Sequence, residues 1–432
     1  MLIECDHAAA PLVIAVTSHL DPACDYTGGV TITASDITFD CQGAVIRGTT
    51  SGTGITIVSP VDVDMSNVTV QNCRTAGFLN GIRMTRTGFR DLAAGVEYEH
   101  HLRDIVIKDT SVVGSRGVGV YVDAYVTRVT LTGLIVSGAG STGIYLETGS
   151  RENTVAGNSF INNGFVENGP GGSLYDFGGT TLAFWGTGRE GLAIDGSSNN
   201  VVRDNWFHGN SAGGIFLYTN CGEYPDRTRY FERRYPSDRN VITNNVFDSG
   251  WTGVWVGSRM GENVFPMECS NVPYFEAPVT QYTLDRAADN VIRGNQFNGP
   301  DYGVRVEDDG TQVLDNLFLG PDAGHHAIVV GTPYRTQYLS DPVHNTRIQG
   351  NKSEIVGNPN PFRWVHGVDG LVDLDNTALG LPTAICEGVT LPRGPFVMAL
   401  EVGLPNPDGS IPPRPDLAFP VLGPLPPCVG AT

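Results

Sequence analysis

At 432 residues the chain is long for one compact domain, and its net charge of −19, with only two lysines (Lys108 and Lys352), sets it against nucleic acid and anionic membranes as partners. No apolar run approaches the roughly 18 residues that a membrane-spanning helix needs. Met1 opens no basic-plus-apolar leader, so the expectation is that any export signal lies outside this sequence or has been removed. Eight cysteines without a CxxC pair or a nearby histidine at metal-like spacing argue against zinc and for disulfides in an oxidising compartment, secreted, extracellular or periplasmic. Sequential pairing is expected: Cys5–Cys24, Cys41–Cys73, Cys221–Cys269 and Cys386–Cys428.

Residues 1–36 read as an N-terminal cap, with short apolar strands at Leu12–Val16 and Val30–Thr33. From Ile37 to about residue 375 the strands are three to five residues long, alternate apolar with polar, and break at Gly, Asn or Asp. A phrase recurs there: Asn153–Phe160 (NTVAGNSF), Asn200–Phe207 (NVVRDNWF), Asn240–Phe247 (NVITNNVF), Asn290–Phe297 (NVIRGNQF), Thr311–Phe318 (TQVLDNLF) and Asn345–Ser353 (NTRIQGNKS). Each phrase is accompanied by Gly–apolar–x–apolar, as in Gly143–Leu146, Gly214–Leu217 and Gly303–Val306. Gly119 and Gly143 are 24 residues apart, Gly191 and Gly214 are 23, and Gly303 and Ala327 are 24. Such a period marks a solenoid, and its length fits one turn of a parallel β-helix with three strands per turn. The fold class is therefore all-β. Asn158, Asn205, Asn245, Asn295, Asn316 and Asn351 then stack as an amide ladder, and Phe160, Phe207, Phe247, Phe297 and Phe318 as an internal aromatic row. Insertions are expected at about 86–104, 165–189, 220–239 and 258–289, where a rigid scaffold places recognition. Residues 376–432 form a Pro-rich tail tied by a disulfide.

Register turns this linear pattern into a surface. In each Gly–apolar–x–apolar–x strand the two x residues face outward. The first x position runs Thr56, Arg83, Tyr121, Tyr145, Ala193, Phe216, Trp255, Arg305, Val329; the second runs Val58, Thr85, Asp123, Glu147, Asp195, Tyr218, Gly257, Glu307, Gly331. Aromatic rings beside acids suit stacking against sugars. Asp123, Glu147 and Asp195 fall on three consecutive turns if no turn is hidden in the insertions. Like charges so close raise one pKa, and a protonated acid beside an ionised one is what glycosidic cleavage needs. The alternatives for the same residues are a solvated acidic face or a Ca²⁺ site; no other metal or cofactor is expected. Tyr121, Tyr145, Phe216, Tyr218, Glu223, Trp255, Arg259, Arg305 and Glu307 are the candidate substrate-binding residues, and Glu190 is a reserve acid. The insertion after Tyr218 mixes Arg227, Arg229, Arg233, Arg234 and Arg239 with Tyr and acidic residues. It reads either as a subsite wall or as a self-paired charged loop. His100–His101 and His325–His326 are secondary candidates for catalysis or metal binding.

The GI-x-L and N-x-x-x-x-N-x-F coils, with ITFDCQGAVIRG following Cys5 and Cys24, resemble the right-handed repeats of the pectin-lyase-like superfamily over roughly residues 1–375. The resemblance implies a right-handed helix acting on carbohydrate without selecting a reaction. The DPHE run of mannuronan epimerases and the NTD, GHG and RIK motifs of polygalacturonases are absent. The reading is a secreted glycoside hydrolase or transglycosylase acting on a polysaccharide or oligosaccharide. A polysaccharide lyase or uronate C5-epimerase and a non-catalytic glycan-binding solenoid are the alternatives.

Overall fold

The computed structural model describes residues 1–432 except 168, 170, 178–179, 221–232, 258–272, 277–280, 284–285, 333–334, 336–340, 365–367, 388–400 and 414–432. Three sheets of thirteen strands each run along the chain. Within a turn the chain passes from sheet one (Thr154–Ala156, for example) to sheet two (Ser159–Ile161) and then sheet three (Glu190–Asp195). Strands of one sheet pair in parallel with those of the next turn; the terminal hairpin of Thr377–Ala378 with Leu381–Pro382 is antiparallel. This is a parallel β-helix with three strands per turn, and no α-helix occurs among the described residues. Residues 1–36 already contribute strands to the three sheets, which start at Leu2 and continue to Glu387.

Period-two alternation fixes what is inside. Val155, Val202, Ile242, Ile292 and Val313 line sheet one, and Leu192, Ile215, Val254 and Val304 line sheet three, all fully buried. On sheet two the five expected phenylalanines stack at centroid spacings of 4.4, 4.9, 4.7 and 4.8 Å. These match the spacing of about 4.8 Å between paired strands, so each ring lies on the ring of the next turn.

The asparagine ladder forms and runs one turn further, to Asn376. Each Asn accepts, on its Oδ1, bonds from both the backbone N–H and the Nδ2 of the preceding ladder residue: Asn158 donates to Asn205 at 2.9 and 2.9 Å, and Asn351 to Asn376 at 2.9 and 2.9 Å. The residue before each ladder Asn has positive φ: Gly157 66°, Asp204 58°, Asn244 55°, Gly294 64°, Asp315 53°, Gly350 67° and Asp375 55°. Only Gly, Asn and Asp visit that region routinely, which explains why the repeats read GN, DN or NN. Two further ladders occupy the other corners of the coil: Asn153–Asn200–Asn240–Asn290 and Asn163–Asn210.

Disulfides Cys5–Cys24 and Cys41–Cys73 form as expected, with Cα atoms 5.2 and 4.8 Å apart. Cys386 is disulfide-bonded; Cys221, Cys269 and Cys428 lie outside the described residues. The segment between sheets two and three after Ile161 carries a hairpin, Ser173–Phe177 with Thr180–Trp185. The tail returns to it: Glu401–Gly403 pairs antiparallel with Ala183–Trp185.

Candidate functional site: a buried acidic cluster on sheet three

The register derived from sequence is the one the sheet adopts. Arg83 pairs with Tyr121, Tyr121 with Tyr145, Tyr145 with Ala193, Ala193 with Phe216, Phe216 with Trp255, and Trp255 with Arg305. No turn is hidden in the 165–189 insertion, so Asp123, Glu147 and Asp195 sit on three adjacent turns. They project from the outer face of sheet three, away from the aliphatic core.

That face is not open. The expected solvent-facing aromatic strip is covered: Tyr145 is 7% exposed, Phe216 1%, and Trp255 and Tyr218 0%. The rings pack on one another, Tyr121 stacked on Tyr145 at 5.2 Å and Phe216 edge-on to Trp255 at 5.6 Å. Asp123, Glu147 and Asp195 are 1%, 5% and 0% exposed, so the solvated acidic face is excluded too. Part of the cover comes from the insertion after Tyr218, from which Asn220 reaches Asp195 and Arg233 reaches Glu147. Arg234 pairs with Glu97 at 2.8 Å and so ties that insertion to the one at about 86–104.

A buried carboxylate needs donors to replace water, and each of the three has them. Asp123 is paired with Arg83, whose Nε and Nη2 lie 2.9 and 2.7 Å from Oδ2. Glu147 accepts from the Tyr121 hydroxyl at 2.5 Å, from the Thr148 N–H at 3.0 Å and from Arg233 Nη1. Asp195 accepts from the Tyr145 hydroxyl at 2.5 Å, from the Asn220 N–H at 2.6 Å and from Asn220 Nδ2 at 2.9 Å. The lone pairs a calcium ion would use are thus engaged by N–H and O–H donors; an ion would have to displace Arg83, Arg233 and Asn220.

The electrostatics separate the acids. Burial pushes the Asp195 carboxyl up to about 6; Arg233 pulls it down, and Glu147 on the preceding turn pushes it up further. Burial also raises Asp123, against the pull of Arg83. Burial works against the charge on Arg233, but Glu147 and Asp195 outweigh it and hold the guanidinium more firmly protonated than usual. Burial, then neighbouring carboxylates, raise Tyr121, Tyr145 and Tyr218 well above the ordinary phenol value.

Glu190 opens the strand that ends in Asp195, so it belongs to the same turn. It is 1% exposed and accepts from Arg189 Nη2 at 3.1 Å and from the Tyr218 hydroxyl at 3.0 Å. Arg305 and Glu307 form a buried ion pair at 2.5 Å, but their turn lies three strands beyond that of Asp195, about 14 Å along the axis, so they do not join the cluster. Glu223 and Arg259 lie outside the described residues. Three partners were not assigned from sequence. Arg83 could have been, because register places it one turn before Tyr121. Asn220 and Arg233 belong to an insertion, whose docking no periodicity predicts.

Compared with known proteins, the chain matches the family model of the right handed beta helix region over residues 23–265, more than half of its length. No curated protein matches it. Among solved structures it is similar to the A-modules of the Azotobacter vinelandii mannuronan C-5 epimerases AlgE6 and AlgE4. Identities are 15% and 14% and both TM-scores 0.55, over 88% of this chain and 92% and 91% of those modules. At that identity the likeness is one of fold. With three sheets of thirteen strands, parallel except for the terminal hairpin, and the family model matched over most of them, the chain belongs to the right handed beta helix region family.

Proposed function

We propose that the protein is a carbohydrate-active enzyme, a glycoside hydrolase or transglycosylase, in which Asp195 and Glu147 act as the acid pair. The observation that carries this reading is the unequal treatment of two carboxyls on adjacent turns. Asp195, raised to about 6, retains a proton into the mildly acidic range, whereas Glu147 is matched to Arg233. Asp195 then gives its proton to the leaving glycosidic oxygen, and Glu147 attacks the anomeric carbon or activates water there. Turns about 4.8 Å apart suit the carboxyl separation of about 5–5.5 Å used by retaining enzymes. Asp123, bound by Arg83, fits a supporting role in fixing the rim of the cluster. A sugar reaches Asp195 only when Arg233 or Asn220 withdraws, and both are partly exposed at that rim. The two disulfides support an oxidising, secreted or periplasmic setting. The similar epimerase modules act on mannuronan by their printed names, which makes lyase or epimerase chemistry the second reading. That chemistry needs a base, and the tyrosines of the cluster are held protonated by burial and by the carboxylates beside them.

A panel of neutral and acidic glycans, scored by product mass, tests this. Cleavage with gain of one water per bond, lost in Asp195→Asn and in Glu147→Gln, is the expected result. Unsaturated products absorbing in the ultraviolet, or epimerised products of unchanged mass, would overturn it.

A further inference from the structure

The same face of sheet three carries a second polar cluster, nearer the C-terminus and of opposite sign. Arg305, Val329 and Arg363 are register partners on three successive turns, so Val329 forms a floor between two arginines. His326 lies on the middle turn with Val329, its ring stacked on Tyr302 at 5.4 Å. Arg305 is held over Trp251 and Tyr302, its Cζ 5.6 and 5.5 Å from their centroids. Arg305, His326 and Arg363 are 2%, 8% and 4% exposed.

These groups are not satisfied. Arg305 gives Nη2 to Glu307, yet its Nε and Nη1 have no hydrogen-bond partner. Arg363 leaves Nε and Nη1 unpartnered, and His326 leaves Nδ1. Burial lowers the Arg363 pKa, and burial followed by the Arg363 charge lowers His326 to about 4, so the imidazole is neutral at pH 7. With Glu307 offsetting Arg305, the cluster keeps, among the described residues, one positive charge without a counter-charge and unused N–H donors around a small aliphatic floor. A buried cation left without a counter-charge is costly, and a planar guanidinium pair is suited to an oxyanion.

We propose that Arg305, Arg363 and His326 form an oxyanion-binding site on the outer face of sheet three, taking one carboxylate or sulfate group over Val329. The anion accepts from the unpartnered N–H groups of the two guanidiniums, and Trp251 and Tyr302 wall the side next to Arg305. The site stands independently of the acid-pair reading. If the oxyanion is carried by a glycan, that glycan is acidic, and its charged unit lies roughly 14–24 Å along the helix axis from Asp195, three to five turns away.

The test is thermal unfolding of the full chain in sodium sulfate against sodium chloride at matched ionic strength, for wild type, Arg363→Gln and Asp195→Asn. An oligouronate and a neutral oligosaccharide of equal length serve as the second pair of probes. Sulfate stabilises proteins generally, so the difference between wild type and Arg363→Gln is the reading. The expected result is a saturable rise of a few degrees in wild type and Asp195→Asn that is absent from Arg363→Gln. The salt-free midpoint of Arg363→Gln should equal or exceed that of wild type. A response to the oligouronate at lower concentration than to sulfate assigns a glycan-borne group; a response to sulfate alone assigns a free anion. An equal sulfate response in wild type and Arg363→Gln, or a lower salt-free midpoint in that variant, would overturn the proposal. Since Asp195→Asn keeps the response whatever its activity, failure of this site and failure of the acid pair are read separately.

Discussion

Two stretches of one sheet face treat buried charge in opposite ways. Between Arg83 and Tyr218 the buried carboxylates meet donors from neighbouring turns or from an insertion, and Arg83, Arg189 and Arg233 each meet a carboxylate, while Arg86 gives its Nη1 and Nη2 to the Glu97 and Val61 carbonyls. Between Tyr302 and Trp364 the excess is cationic, and Arg305, His326 and Arg363 keep unpartnered nitrogens. The scaffold beneath is the same, with strands in register and aliphatic side chains inward. The difference lies only in the outward positions and in what folds over them. It teaches that in this solenoid the repeat sets where a side chain points, and the insertions set its dielectric environment.

The largest expected effect is on activity. Asp195→Asn and Glu147→Gln should each lower turnover by about 10²–10⁴-fold, the range lost when a positioned acid or base is removed. Arg363→Gln, on the other stretch, should leave turnover of a neutral glycan near wild type. Equal losses from all three would erase the distinction between the stretches.

Next is stability, where the sign should differ. Arg233→Gln strips the counter-charge from buried Glu147 and should cost about 3–5 kcal/mol. Arg363→Gln removes a charge that has no acidic partner among the described residues, and it should be neutral or stabilising. Denaturant midpoints of the two variants check this; two losses of the same size would show that Arg363 is as well matched as Arg233.

The pH dependence is comparable or smaller. Asp195 has a folded-state pKa of about 6, above the ordinary 3.8, so the native state binds the extra proton between those values. Its contribution is therefore most favourable below about pH 4 and is lost as pH rises through 6, a change of roughly 3 kcal/mol. Asp195→Asn should flatten that part of the stability curve, while Arg363→Gln should leave its shape unchanged. The smallest effect expected is that of Tyr121→Phe. It deletes one hydrogen bond to Glu147 and should cost about 1–2 kcal/mol, measured in the same denaturant series.

Much of this architecture is legible in the sequence. The Asn and Phe of the repeats sit at one position per turn because only stacking on an identical neighbour satisfies a buried amide or fills the space beside a ring. Asn153, Asn200, Asn240 and Asn290 open the same repeat phrase, and their ladder could have been read from it as readily as the one found. The alignment of Tyr121 with Tyr145, and so of Asp123, Glu147 and Asp195, followed from period-two alternation. Burial of that face did not follow. It depends on Arg233, which reaches Glu147 across 86 residues, and on Asn220, which reaches Asp195 across 25. Neither contact repeats, so no period encodes it. Arg363 is not legible from the repeat, because Pro361 stands at the position that Gly303 and Ala327 hold on the two preceding turns.

Asp195 is the residue on which the proposed cleavage turns most directly. Turnover of Asp195→Asn should be measured against wild type on a glycan that the wild type cleaves, with the denaturant midpoint of both recorded. A drop of at least about 10²-fold, with a midpoint equal to or above wild type near pH 7, is the predicted result. An Asp195→Asn protein that still cleaves at the wild-type rate would contradict it.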